Sequence, residues 1–126
     1  MKPEAELRRM LARWFQYQFP NVIYRFDLAA DLKLTMGQAR KHKELHPHRG
    51  YPDLFIAEPR GKYHGMYVEL KAEGKSPYKR NGELKSDEHL KEQEVMLNEL
   101  NSRGYFAKFA TGFNEAKGLI ESYLKQ

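Results

Sequence analysis

GYPDLFIAEPRGKYHGMYVELKAEGK, residues 50–75, holds two short apolar runs on either side of a Gly- and Pro-marked turn, and each run carries charge where a buried strand would want an apolar side chain. Alternation in a strand places Val68 and Leu70 on one face, and Tyr67, Glu69 and Lys71 on the other. An antiparallel hairpin folded about Gly61 sets Leu54 against Val68 and Ile56 against Met66, so the apolar faces match. In the same register Phe55 faces Tyr67 and Asp53 faces Glu69, with Cβ atoms about 4.5–5.5 Å apart. Two like charges at about 4 Å repel by ~4 kcal/mol at an effective dielectric near 20, so the pattern makes sense if a cation sits between them.

A pair of carboxylates suits a hard cation, Mg²⁺ or Mn²⁺, whose remaining positions go to water and phosphate oxygens. Lys71, two residues beyond Glu69, lies beside such an ion, where its ammonium can steer a water or stabilise charge developing on a phosphate. The bland alternative is a solvated sheet face on which Glu69 and Lys71 pair with each other. The chain has no Cys, which excludes disulfides, thiolate zinc sites and a Cys nucleophile.

Outward from the hairpin, Pro3 to Phe19 has Leu7, Met10, Leu11, Trp14 and Phe15 at helical spacing, with Pro3 suited to a first turn and Pro20 as a stop. Asn21 to Ala29 reads as a strand by its β-branched and aromatic content. Ala30 to Gly50 is polar and has no assignable period. After the hairpin, Gly74 to Lys85 reads as a loop. Ser86 is an N-cap candidate for a helix whose face is Leu90, Leu97 and Leu100 and which stops at Gly104. YFAKFATG, residues 105–112, reads as a strand and Asn114 to Leu124 as a last helix. The order α-β-β-β-α-β-α predicts an α/β domain with a mixed sheet.

The 126 residues, 40% apolar, suffice for one domain over 1–126 with its own core. No run approaches the roughly 18 apolar residues of a membrane helix, and MKPEAELRR lacks a secretory apolar core, so a soluble, cytoplasmic chain is expected. The net charge of +5 is compatible with an anionic partner such as nucleic acid. Two polar residues stand toward apolar helix faces: Gln93, between Leu90, Leu97 and Leu100, and Glu4, at the edge of the first helix's stripe. A buried amide wants a polar partner.

Taken together, Glu4 on a first helix, GYPD at 50–53, ELK at 69–71, LKEQEVMLNEL around Gln93 and the closing GYFAKFATGFNEAKGLIESYL resemble the PD-(D/E)XK nuclease superfamily, and within it the VRR-NUC family, over nearly the whole chain. The resemblance implies an α-β-β-β-α-β core with a central mixed sheet flanked by helices, and divalent-metal-dependent hydrolysis of phosphodiester bonds in branched DNA such as Holliday junctions. It implies Asp53, Glu69 and the Leu70 carbonyl as metal ligands, Lys71 acting on the attacking water, and Gln93 holding that water or an acidic ligand. PEAEL is similar to the start of archaeal Holliday-junction resolvases, which selects Glu4 over Glu6 as the helix acid. One departure from the family is the long KSPYKRNGELKSDEHL between ELK and Gln93.

Phosphate contacts are expected from Lys33, Arg40, Lys41, Lys43 and Arg49 before the hairpin, and from Lys75, Lys79, Arg80 and Lys85 after it. His42 and His46 would share a helix face if their stretch is helical, which makes a zinc site conceivable, although loop histidines near DNA fit the pattern better. A junction has two symmetric strands to cut, so a two-fold homodimer is expected; Trp14, Phe15, Leu119, Ile120, Tyr123 and Leu124 are apolar material for its surface unless core packing absorbs them, and the aromatic run of the first helix reads most simply as core. The alternatives are a DNA-binding module without cleavage, a flap or single-strand nuclease acting as a monomer, and a scaffold that recruits a protein through its aromatic helix.

Overall fold

The computed structural model describes residues 3–27 and 32–126. Helix α1 spans Pro3–Gln18 and is followed by strand β1, Tyr24–Phe26; the far end of the strand expected over 21–29, Leu28 and Ala29, lies outside the described residues. Helix α2 covers Met36–Leu45, strands β2 and β3 cover Leu54–Ile56 and Met66–Lys71, helix α3 covers Glu88–Ser102, strand β4 covers Phe106–Thr111 and helix α4 covers Gly112–Leu124.

The strands form one sheet in the order β1-β2-β3-β4, antiparallel at the first two pairings and parallel at the third. The β2–β3 register pairs Leu54 with Val68, Phe55 with Tyr67 and Ile56 with Met66, as the apolar alternation requires. One further step along this register brings Asp53 to Glu69. The parallel β3–β4 pair needs a crossover, and α3 supplies it.

Each sheet face meets different helices. On one, Leu54, Ile56, Val68 and Leu70 pack with Leu7, Leu11 and Phe15 of α1 and Ala116, Ile120 and Tyr123 of α4. On the other, Tyr67, Ala107 and Phe109 pack against Leu97 and Leu100 of α3. Fully burying each large apolar side chain contributes about 1.5–3 kcal/mol, so the apolar stripes of α1 and α4 hold them on the sheet. Of the two readings open for the aromatic and terminal-helix residues, this packing takes the core one: Trp14, Phe15, Ile120, Tyr123 and Leu124 are all buried in the chain's own core, at 9% exposure or less, and Leu119 is partly buried against it. They are consumed there and are not a surplus apolar surface.

Helix α2 falls in the stretch that had no readable period, for a physical reason. It buries none of its residues, so there is no apolar stripe to recognise. Its start is local chemistry: the Thr35 hydroxyl accepts from the Gln38 N–H at 3.2 Å and the Gln38 side chain accepts from the Thr35 N–H at 3.0 Å, a reciprocal capping box. Helix α3 is capped by Asp87, one residue later than expected; its carboxylate accepts from the Leu90 N–H at 3.1 Å. The 75–85 segment is a small hairpin closed by a bridge between Tyr78 and Leu84, with Pro77 buried and Tyr78 edge-on to Phe109.

Candidate active site

Four elements converge where β3 ends. Just before β2, the Asp53 carboxylate accepts a hydrogen bond through Oδ2 from the Leu70 N–H at 2.9 Å, which ties it to the end of β3. Gly50 sets up this approach. It has φ +72° and lies against the backbone of α3, where a Cβ would come within 2.6 Å of the Glu92 carbonyl oxygen, so only glycine lets the loop before Asp53 pass this close to the turn of α3 that carries Gln93.

Glu69 is 4% exposed. Burial pushes its pKa from 4.5 up to about 10; the hydrogen bond it makes with Asp53 and the Asp53 charge push the same way, Lys71 pulls against them, and Glu4 adds a smaller push. The two carboxyl groups therefore cannot both be ionised at neutral pH unless positive charge is added between them. Two facing carboxylates are oxygen donors of the kind a hard divalent ion takes. Among the described residues no group of three or more His, Asp or Glu is arranged to hold a metal, so the rest of such an ion's coordination sphere would come from the backbone, water and phosphate.

Lys71 and Gln93 meet across the site: the lysine Nζ donates to Gln93 Oε1 at 2.8 Å, and it also lies 5.9 Å from the Phe109 ring centroid. Gln93 is buried, and Lys71 gives its amide oxygen the partner that burial demands. An ammonium has three donor hydrogens, so two remain for a water or phosphate oxygen. Glu4 stands exposed in the first turn of α1, and it is the helix acid whose charge acts on Glu69.

Arg8 is a residue that sequence reasoning missed. It is 6% exposed, and its Nη1 lies 3.6 Å from Asp53 Oδ1, so a buried guanidinium stands beside the carboxylate that Leu70 holds from the other side. The signal was available: Arg8 follows Glu4 by one helical turn and falls between Leu7 and Leu11 on the apolar stripe.

The basic residues flank this cluster in two exposed segments. Lys33, Arg40, Lys41, Lys43 and Arg49 lie on or beside α2, with Arg49 3.4 Å from Glu92 of α3; Lys75, Lys79, Arg80 and Lys85 lie on the Tyr78–Leu84 hairpin. His42 and His46 do share a face of α2, with ring centroids 4.5 Å apart. His46 Nδ1, however, is turned to the His42 carbonyl oxygen at 3.0 Å, and His42 Nε2 lies 4.0 Å from Asp27.

No family model matches the chain, and no curated protein does. Among solved structures it is similar to a VRR_NUC domain protein, with a TM-score of 0.67 and 26% identity, over 99% of this chain and 90% of that one. A mixed four-stranded sheet flanked by helices, with this likeness, defines a nuclease-fold domain. Within that class its likeness is to the VRR_NUC fold.

Proposed function

We propose that the chain is a Mg²⁺- or Mn²⁺-dependent endodeoxyribonuclease that hydrolyses phosphodiester bonds in branched DNA. The observation that carries this reading is the carboxyl pair of half-buried Asp53 and buried Glu69, with Glu69 raised to about 10, beside the Lys71–Gln93 hydrogen bond. Asp53, Glu69 and the Leu70 carbonyl would hold the ion. When bound, it supplies a polarised phosphate and a more acidic water.

The chain's own groups do the positioning. The Leu70 N–H and Arg8 fix the Asp53 carboxylate from two sides, so its lone pairs are oriented before any ion arrives. Gln93 fixes the Lys71 ammonium, whose free N–H groups can hold the attacking water and then the extra negative charge on the phosphoryl oxygens. Hydrolysis adds the water oxygen to phosphorus as one P–O ester bond breaks; a proton leaves the water, and the departing alkoxide takes one up. Glu4, exposed at the rim and within electrostatic reach of Glu69, can accept a hydrogen bond from the water that enters.

The cations of 33–49 and 75–85 would neutralise phosphates on either side of the cut, giving binding that weakens with salt. Paired cuts on a four-way junction would need a two-fold homodimer.

The test is a cleavage panel of junction, flap, duplex and single-stranded DNA with Mg²⁺, Mn²⁺ or EDTA, run with the wild type and Asp53→Asn. Metal-dependent cleavage that is strongest on a branched substrate and lost in Asp53→Asn supports the reading. Binding that is indifferent to metal, with no cleavage, would identify a DNA-binding module instead.

A further inference from the structure

Beside Asp53 the site opens into a cleft of about 700 Å³ between α2 and the β1–β2 end of the sheet. One wall is the inner side of α2, with His42, Leu45 and His46; the other is Arg25, Phe55 and Tyr51; Asp53 stands at its end. The cleft exists because α2 does not pack down: none of its residues is buried, Leu45 is 64% exposed, and across from it Tyr51 is 50% exposed. Six flat rings, Phe26, His42, His46, His48, Tyr51 and Phe55, therefore line a space that also has charged groups on its walls.

We propose that this cleft receives a single unpaired nucleobase of the DNA strand whose phosphate lies at Asp53, an inference that rests on the nuclease reading above. Three features select this occupant. Ring-lined walls suit a flat aromatic ligand, with Arg25, Asp27 and Asp53 on the walls for its polar edge, and a volume within the roughly 300–1,000 Å³ of small-ligand sites admits a nucleotide but no base pair in a duplex. The segment 32–49 that forms the rim carries five Lys and Arg against one acid, Glu44, so the entrance favours a polyanion. Asp53 lines both the cleft and the carboxyl pair, so a base in the cleft and its own phosphate at the site are a continuous ligand. A base reaches the cleft only where its partner strand has departed, so the cleft makes an unpaired position next to the cut the recognised feature of a branch.

The experiment walks one abasic nucleotide through a junction and a flap substrate. Binding is read by anisotropy in EDTA and cleavage separately with Mn²⁺, using wild type, Tyr51→Ala, His46→Ala and the ring-keeping Tyr51→Phe. For wild type, the abasic nucleotide should weaken binding about ten-fold at one position beside the cut and little elsewhere, as expected when one stacked base is lost. Tyr51→Ala and His46→Ala should weaken binding of intact DNA to a similar degree and add nothing on that abasic substrate, while Tyr51→Phe behaves as wild type. Equal tolerance of the abasic nucleotide at every position would overturn the proposal. So would alanine variants that weaken intact and abasic DNA alike, or that instead change the mass in light scattering, which would give the cleft to a second copy. Absence of cleavage with either metal would refute the nuclease reading alone, because the binding walk still reports on the cleft.

Discussion

Glu69→Gln should stabilise the metal-free protein at neutral pH and leave its stability at pH 5 nearly unchanged. Glu69 is 4% exposed and titrates near 10 in the folded chain against 4.5 in the unfolded one. Below pH 4.5 both states hold the proton and burial costs little extra. As pH rises from 4.5 toward 10 the unfolded chain releases the proton and the folded chain keeps it, so stability falls by about 1.4 kcal/mol per pH unit. At pH 7 the deficit reaches ~3 kcal/mol, and for a chain of this length that is on the order of 10 °C in Tm. Glutamine has the shape of the protonated acid and does not titrate. The assay is thermal unfolding by circular dichroism in EDTA at half-unit steps from pH 5 to 8, reading the difference between variant and wild type. That difference should open steadily with pH. A variant that tracks the wild type throughout, or melts lower at pH 7.5, would refute the opposed-carboxyl reasoning.

Other outcomes are equally specific. Lys71→Ala should abolish cleavage while DNA affinity stays within a few-fold by gel shift, because affinity is spread over many phosphate contacts. Gln93→Ala should lower turnover more than KM, since it frees the Lys71 ammonium; a loss of Tm with turnover intact would make Gln93 a packing residue only. Arg8→Met should lower the apparent affinity for Mn²⁺ in activity titrations, because Asp53 keeps the Leu70 bond but loses its second restraint. Gly50→Ala should destabilise by about 1–3 kcal/mol in urea unfolding, combining a strained positive φ with a contact of 2.6 Å to backbone.

The sequence alone determined the sheet's centre, because period-2 alternation in 54–56 and 66–71 excludes odd slips and a turn about Gly61 selects among the rest, and that register brings Asp53 to Glu69. It determined α1 and α3 by an apolar stripe with a nearby stop, Pro20 and Gly104, and α4 as a helix over Asn114 to Leu124, two residues short of its observed start. Helix α2 was illegible because a helix held by a capping box and burying nothing leaves no periodic trace. Whether Trp14, Phe15 and Tyr123 face a partner or the core could not be read from a stripe, which records only that a face is covered; packing between α1 and α4 decided it. That Arg8 lies on the buried face was legible, but that Asp53 is its neighbour, and that a cleft opens under α2, are tertiary facts set by how a helix end and a loop arrive at the sheet, since no hairpin register links those segments as it links Asp53 to Glu69.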